Sequence, residues 1–116
     1  MHELSLSLKT IDLVVEHARR QECSRVTAVT LGIGRLSCIE PEALLTGLQF
    51  ASRDTLAEGA QFKVDMIPAI AWCEHCHQQV EIDSHYTGCP VCHQYQLVVE
   101  TGEELKIKSI EVESYV

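Results

Sequence analysis

Residues 73–93 read Cys-Glu-His-Cys-His-Gln-Gln-Val-Glu-Ile-Asp-Ser-His-Tyr-Thr-Gly-Cys-Pro-Val-Cys-His, and this stretch decides the fold. Cys73 and Cys76 form one C-x2-C pair, Cys89 and Cys92 a second, with twelve residues between the pairs. Each pair makes a tight knuckle presenting two thiolates to one ion, and two knuckles complete a tetrahedron. Zn(II) suits such a set, because it binds thiolate well and imposes no geometry of its own. A four-thiolate site leaves no open position for water, so the spacing predicts a structural zinc rather than a hydrolytic one. A rubredoxin-type iron site would use the same four ligands. A redox C-x2-C of the thioredoxin kind stands alone at a helix start in a βαβ context, which this stretch lacks. His77 and His93 each follow the second Cys of a knuckle, and read as solvent-facing or supporting residues.

Outward from this unit the composition changes. No Lys or Arg occurs from Val64 to Glu103, whereas Glu74, Glu81, Asp83, Glu100 and Glu103 do. Zinc ribbons that bind nucleic acid need basic side chains around the metal, so that function is disfavoured. The whole chain points the same way: 116 residues, seventeen acids against nine bases, a net charge of −8 and a pI near 5.1. No apolar run approaches the roughly 20 residues of a membrane span. The N-terminal residues lack the basic and apolar regions of a secretory signal. Six Cys in such a chain are expected to stay reduced, which predicts a cytoplasmic location.

The flanks are conventional. Leu4, Leu8, Ile11, Val15 and Ala18 recur at helical steps, opposite Lys9, Asp12, Glu16 and Arg20, which predicts an amphipathic first helix. Val26–Ile33 is rich in β-branched residues and is closed by Gly32 and Gly34, so a strand and then a turn are expected. Pro41 opens a second helix with Leu44, Leu45, Leu48 and Ala51 on its apolar face. Phe62, Val64 and Met66 alternate in a strand over 61–67 that Pro68 stops. Strand, helix, strand at this spacing predicts a crossover joining two parallel strands. Residues 96–99 read as a strand, 101–104 as a turn and 105–112 as a last strand. That last strand changes phase between Ile107 and Ile110, as a bulge near Ser109 would cause. The expected architecture is α+β: a small mixed three-stranded sheet with two helices over residues 1–67 and 101–116. A zinc-ribbon-like domain over 68–100 is inserted into it.

The first residues, Met1-His2-Glu3, read on their own as an exposed start, yet their nitrogens would suit a second kind of metal. A free amine, the amide nitrogens of His2 and Glu3 and the His2 imidazole lie close together in sequence. Ni(II) favours square-planar nitrogen sets of this kind. The plain alternative is an exposed histidine beside a first-turn acid.

Three stretches together resemble the HypA/HybF family of hydrogenase maturation factors. They are Met-His-Glu-Leu-Ser at 1–5, Arg-Val-Thr-Ala-Val-Thr-Leu-Gly-Ile-Gly at 25–34 and the paired C-x2-C unit. The opening five residues and Ile-Lys-Ser-Ile-Glu-Val-Glu at 107–113 look closest to the HybF branch. The resemblance covers essentially the whole chain. It implies a nickel metallochaperone, not an enzyme, that helps insert nickel into the large-subunit precursor of [NiFe]-hydrogenase together with the nickel-binding GTPase HypB. Carried onto this sequence, it implies His2 as the nickel ligand with backbone nitrogens of Met1 and Glu3, and Glu40 as an acidic accessory. It assigns Cys73, Cys76, Cys89 and Cys92 to structural zinc, and a monomer or weak homodimer is expected. Glu40, just before Pro41, also reads simply as an acid favouring a helix N-terminus. Cys23 and Cys38 fall outside both metal readings. The rival reading is a structural zinc-ribbon adaptor that binds a protein partner and carries no nickel.

Overall fold

The computed structural model describes residues 2–114, with the backbone alone for His2. The elements run α1 (His2–Arg20), β1 (Cys23–Gly34), α2 (Pro41–Ala51), β2 (Gln61–Ile67), β3 (Ala69–Cys73), β4 (Gln78–Ile82), β5 (Leu97–Thr101) and β6 (Leu105–Ser114). They form two three-stranded sheets, β2-β1-β6 and β4-β3-β5. The chain separates into two compact units, one of Met1–Leu31, Ile39–Asp65 and Lys106–Val116, the other of Gly32–Cys38 and Met66–Leu105. The α+β class and the mixed sheet agree with the sequence reading.

In the first unit, α1 and α2 pack on each other and on the sheet. Ile11, Val14, Val15 and Ala18 of α1, Val26, Val29 and Leu31 of β1, and Leu44 and Leu48 of α2 are all buried. Ile11, Val15 and Ala18 keep the expected stripe of α1, which departs from expectation only in the first turns. Leu4 and Leu8 are 48% and 51% exposed, while Ser7 and Thr10 are buried. Gly47 accounts for this: any Cβ there would run into the Ser7 Oγ, so the helices meet backbone to small side chain. The Ser7 hydroxyl lies 2.7 Å from the Glu3 carbonyl and 3.3 Å from the Leu44 carbonyl, so its burial leaves no unmet donor.

Direction within the first sheet follows from its hydrogen bonds. Thr27 Oγ1 donates to the Glu111 carbonyl and Ser24 Oγ to the Glu113 carbonyl, so β6 runs antiparallel to β1. The Val26 N–H meets the Leu56 carbonyl and the Arg35 N–H meets the Ile67 carbonyl, so β2 runs parallel to β1. Along β6, Leu105, Ile107 and then Ile110 are half-buried, the one-residue slip that the sequence phase implied.

β1 runs through Ile33 as expected and ends at Gly34, with the turn following at 35–36; a Cβ at Gly34 would strike the Gly102 carbonyl, and the glycine permits that close approach. One expectation needs correction. In β2, Met66 departs from the expected alternation and is 49% exposed.

The second unit has a thinner core. Leu36, Ala69, Ala71, Cys73, Val80, Ile82 and Cys89 are buried, with Cys76, Cys92, Leu97 and Val99 packed against them. Alanines and cysteines supply much of that interior, so the thiol cluster is part of the core itself.

Candidate metal centres

β3 ends at Cys73, and a tight turn carries the chain back into β4. In that turn the His77 N–H donates to the Cys73 carbonyl at 2.8 Å, and the Cys76 N–H points at the Cys73 Sγ at 3.4 Å. The second knuckle repeats the plan. The His93 N–H donates to the Cys89 carbonyl at 2.8 Å, and the Val91 N–H lies 3.4 Å from the Cys89 Sγ. Both turns end on a left-handed residue, His77 at φ 56° and His93 at φ 62°. That conformation is uncommon without glycine, though histidine is enriched among its occupants. Gly88 lies where a Cβ would come within about 3 Å of the His93 and Gln94 carbonyls, so its lack of a side chain lets the second knuckle close.

The knuckles bring Cys73, Cys76, Cys89 and Cys92 together, with all four sulfurs within 4.8 Å of one another. Cys73 Sγ lies 3.6 Å from Cys92 Sγ, and Cys76 Sγ lies 3.9 Å from Cys89 Sγ. A tetrahedron with metal–sulfur bonds of about 2.3 Å has edges of about 3.8 Å, so these residues fit a tetrahedral metal. This is a zinc-ribbon-like site. Among the described residues it is the one cluster of three or more Cys, His, Asp or Glu able to hold an ion.

Contacts within the cluster move its thiols in opposite directions. Contact with the Cys92 side chain, together with burial, pushes the Cys76 thiol up to about 12. The Cys92 backbone N–H, opposed by burial, brings Cys89 down to about 7. Four thiolates at this spacing repel one another, and a divalent ion removes that penalty. Loading therefore expels protons, and affinity falls as pH falls. His75, His77, His85 and His93 are exposed and lie outside the four-sulfur cluster. His77 sits edge-on to Trp72 at 6.5 Å between ring centroids, while His85 contacts Glu103 at 2.9 Å.

At the other expected metal position, Met1 and the His2 side chain lie outside the described residues. Glu3 and Glu40 are described, and the fold joins them: the Glu40 N–H lies 3.2 Å from Glu3 Oε2. The first turns of α1 and α2 are therefore neighbours, although the two acids stand 37 residues apart in sequence. Nothing in the sequence pattern marks this meeting. Glu40 is also the N-cap of α2, its carboxylate accepting from the Glu42 N–H at 2.9 Å. The helix-start reading of Glu40 thus holds, and leaves its second carboxylate oxygen for other use. Cys23 is buried; Cys38 is exposed and left-handed, φ 61°.

Comparison with known proteins follows the same lines. A family described as "Hydrogenase/urease nickel incorporation, metallochaperone, hypA" matches residues 1–112. Hydrogenase maturation factor HybF of Salmonella typhimurium is 46% identical over 113 residues, covering 97% of this chain and all of that protein. HybF of Escherichia coli is 43% identical, and hydrogenase maturation factor HypA of Chlorobaculum parvum 41%, over the same spans. Among solved structures, the solution structure of the nickel metallochaperone HypA from Helicobacter pylori matches with a TM-score of 0.71 at 21% identity, covering 97% of each chain. A second HypA solution structure matches at 0.73 and 23% identity, covering 97% of this chain and 96% of the other.

Proposed function

The chain belongs to the HypA/HybF family of hydrogenase maturation factors, and on that premise we propose that it carries Ni(II) at its N-terminus and delivers it during [NiFe]-hydrogenase maturation. Nickel is cargo here, not catalyst. His2 supplies the imidazole, and Met1 and Glu3 supply backbone nitrogens. The observation that carries the reading is the full-length family match joined to the meeting of Glu3 and Glu40, which sets acidic oxygens beside the start of α1. One of those acids comes from each helix, so a cation near His2 meets negative charge from both.

The four thiolates of Cys73, Cys76, Cys89 and Cys92 hold structural Zn(II) in the second unit. When bound, that ion replaces mutual thiolate repulsion with four metal–sulfur bonds. The knuckle amides of Cys76 and Val91, aimed at sulfur, steady the charge. The partners are the GTPase HypB, as source or co-carrier of nickel, and the large-subunit precursor as recipient. The cytoplasm is the compartment, where reduced thiols persist. No described helix is long and apolar enough to cross a membrane. The chain itself performs no reaction.

Backbone amides bind nickel only when deprotonated, so nickel affinity should drop as pH falls. The test is a Ni(II) titration of untagged protein with zinc counted separately. Inserting one Gly after Met1 is expected to weaken nickel binding at least about tenfold while zinc stays at one per chain. Unchanged nickel affinity in that variant would overturn the terminal site.

A further inference from the structure

The β4-β3-β5 sheet has two faces, because side chains alternate along a strand. Ala69, Ala71 and Cys73 of β3 point into the core, and Ile70 and Trp72 therefore lie on the other side. The register sets Glu81 opposite Ile70 and Gln79 opposite Trp72 on β4, and Val98 opposite Trp72 on β5. The Gln79 amide donates to Glu100 Oε1 at 2.7 Å, spanning β3 from one edge strand to the other. Val98 is 51% exposed, and Gln79, Glu81 and Glu100 are exposed as well. This outer face is an apolar strip of Ile70, Trp72 and Val98 flanked by two carboxylates.

Charge decides what such a face takes. Arg35 is the sole Lys or Arg in this unit. Its guanidinium is already engaged by Asp83 at 3.2 Å. No Lys or Arg of the unit is left to neutralise Glu81 and Glu100, and His77 packs edge-on to Trp72 at 6.5 Å between ring centroids, at the border of the strip. A zinc-loaded cluster of four thiolates adds further negative charge. Nucleic acid and anionic surfaces are repelled, whereas a cation over the Trp72 ring gains both a cation–π contact and two nearby carboxylates. Aromatic anchors ringed by polar groups are also the usual centres of protein interfaces.

We propose that this outer sheet face is a docking surface for a basic, apolar-anchored segment of a protein partner. An Arg or Lys of that segment sits over Trp72 between Glu81 and Glu100, and an adjacent aliphatic side chain covers Ile70 and Val98. The surface is separate from the residues assigned to nickel, so it stands whether or not His2 holds that ion.

Trp72 is the one tryptophan of the chain, so its fluorescence reads this face alone. Zinc-loaded full-length protein is titrated with the probe acetyl-(Arg-Leu)4-amide and with acetyl-(Glu-Leu)4-amide. The basic probe is expected to give a saturable change and the acidic probe none. A Glu81→Gln/Glu100→Gln variant should bind the basic probe at least about threefold more weakly. A Glu74→Gln/Glu103→Gln variant, with the same change in net charge, should match wild type. Equal weakening in both variants would make the attraction diffuse and overturn the docking site, as would absence of saturation. A fluorescence change that follows protein concentration without peptide would give the face to a second copy of the chain, and also overturn it. Should the first variant lose zinc, wild-type protein decides the matter: binding insensitive to raising salt from about 0.05 to 0.5 M rejects the carboxylates' role.

Discussion

The two units bury different things. The first closes over Val14, Val26, Val29, Leu31, Leu44 and Leu48, ordinary core side chains drawn from two helices and a sheet. The second closes over alanines, Leu36, Val80 and Ile82, and the sulfurs of its own candidate metal site. Apolar burial at roughly 25 cal/mol per Å² can hold the first without help. The second is too small and too poor in large side chains to do so, and resembles the small domains that use metal in place of a core. The difference teaches that one chain can be built in two ways, around solvent exclusion in one part and around a thiol cluster able to coordinate a metal in the other.

The sharpest way to break this comparison is to remove the metal. Structural zinc is worth about 10–16 kcal/mol in small zinc domains, far more than any single side chain. Cys73→Ser, or a strong chelator, is expected to abolish amide-exchange protection across 69–101 while leaving α1 and α2 protected. Hydrogen exchange read by mass spectrometry checks this, and uniform loss over both units would refute the division. Next in size is the mirror-image change. Leu48→Ala should cost about 2–5 kcal/mol in urea unfolding with zinc content unchanged. Smaller again is Gly47→Ala, where the new Cβ meets the Ser7 hydroxyl and costs about 1–3 kcal/mol. The smallest effect belongs to Glu40→Ala, which removes the α2 cap for about 1 kcal/mol by thermal denaturation. If Glu40 also serves nickel, that variant will lose nickel affinity while Glu40→Asp, able to cap, will lose less stability than Ala.

Sequence reached these two regions unequally. The paired C-x2-C spacing leads directly to the four-sulfur cluster, because ligand identity and turn geometry are both local. The helices are legible from apolar period and from Pro41, and Ile11, Val15 and Ala18 are buried as that period implies, whereas Leu4 and Leu8 are not. Ser7 and Thr10 count as polar in any pattern, and only the bare Cα of Gly47 lets the second helix cover Ser7. The strands β3 and β4 escaped the reading for another reason. Ala69–Cys73 and Gln78–Ile82 are five residues each and flank a metal turn, too short for a period to declare itself. No period or spacing marks the approach of Glu3 and Glu40, since it depends on how α1 and α2 pack; only the family resemblance set the two residues at one site. The opening Met-His-Glu-Leu-Ser and the β1 stretch carry the family resemblance, which four cysteines alone do not imply, and the comparisons bear that family out.

One feature of chain order bears on how the molecule is made. Thr27 in β1 bonds to Glu111 in β6 across 84 residues, so the first sheet needs a strand synthesised long after its partner. Pairing across such a span carries a loop-closure cost and slows folding. The second unit, residues 32–38 and 66–105, lies within that span. If it folds first around its ion, it shortens the loose loop that β6 must close.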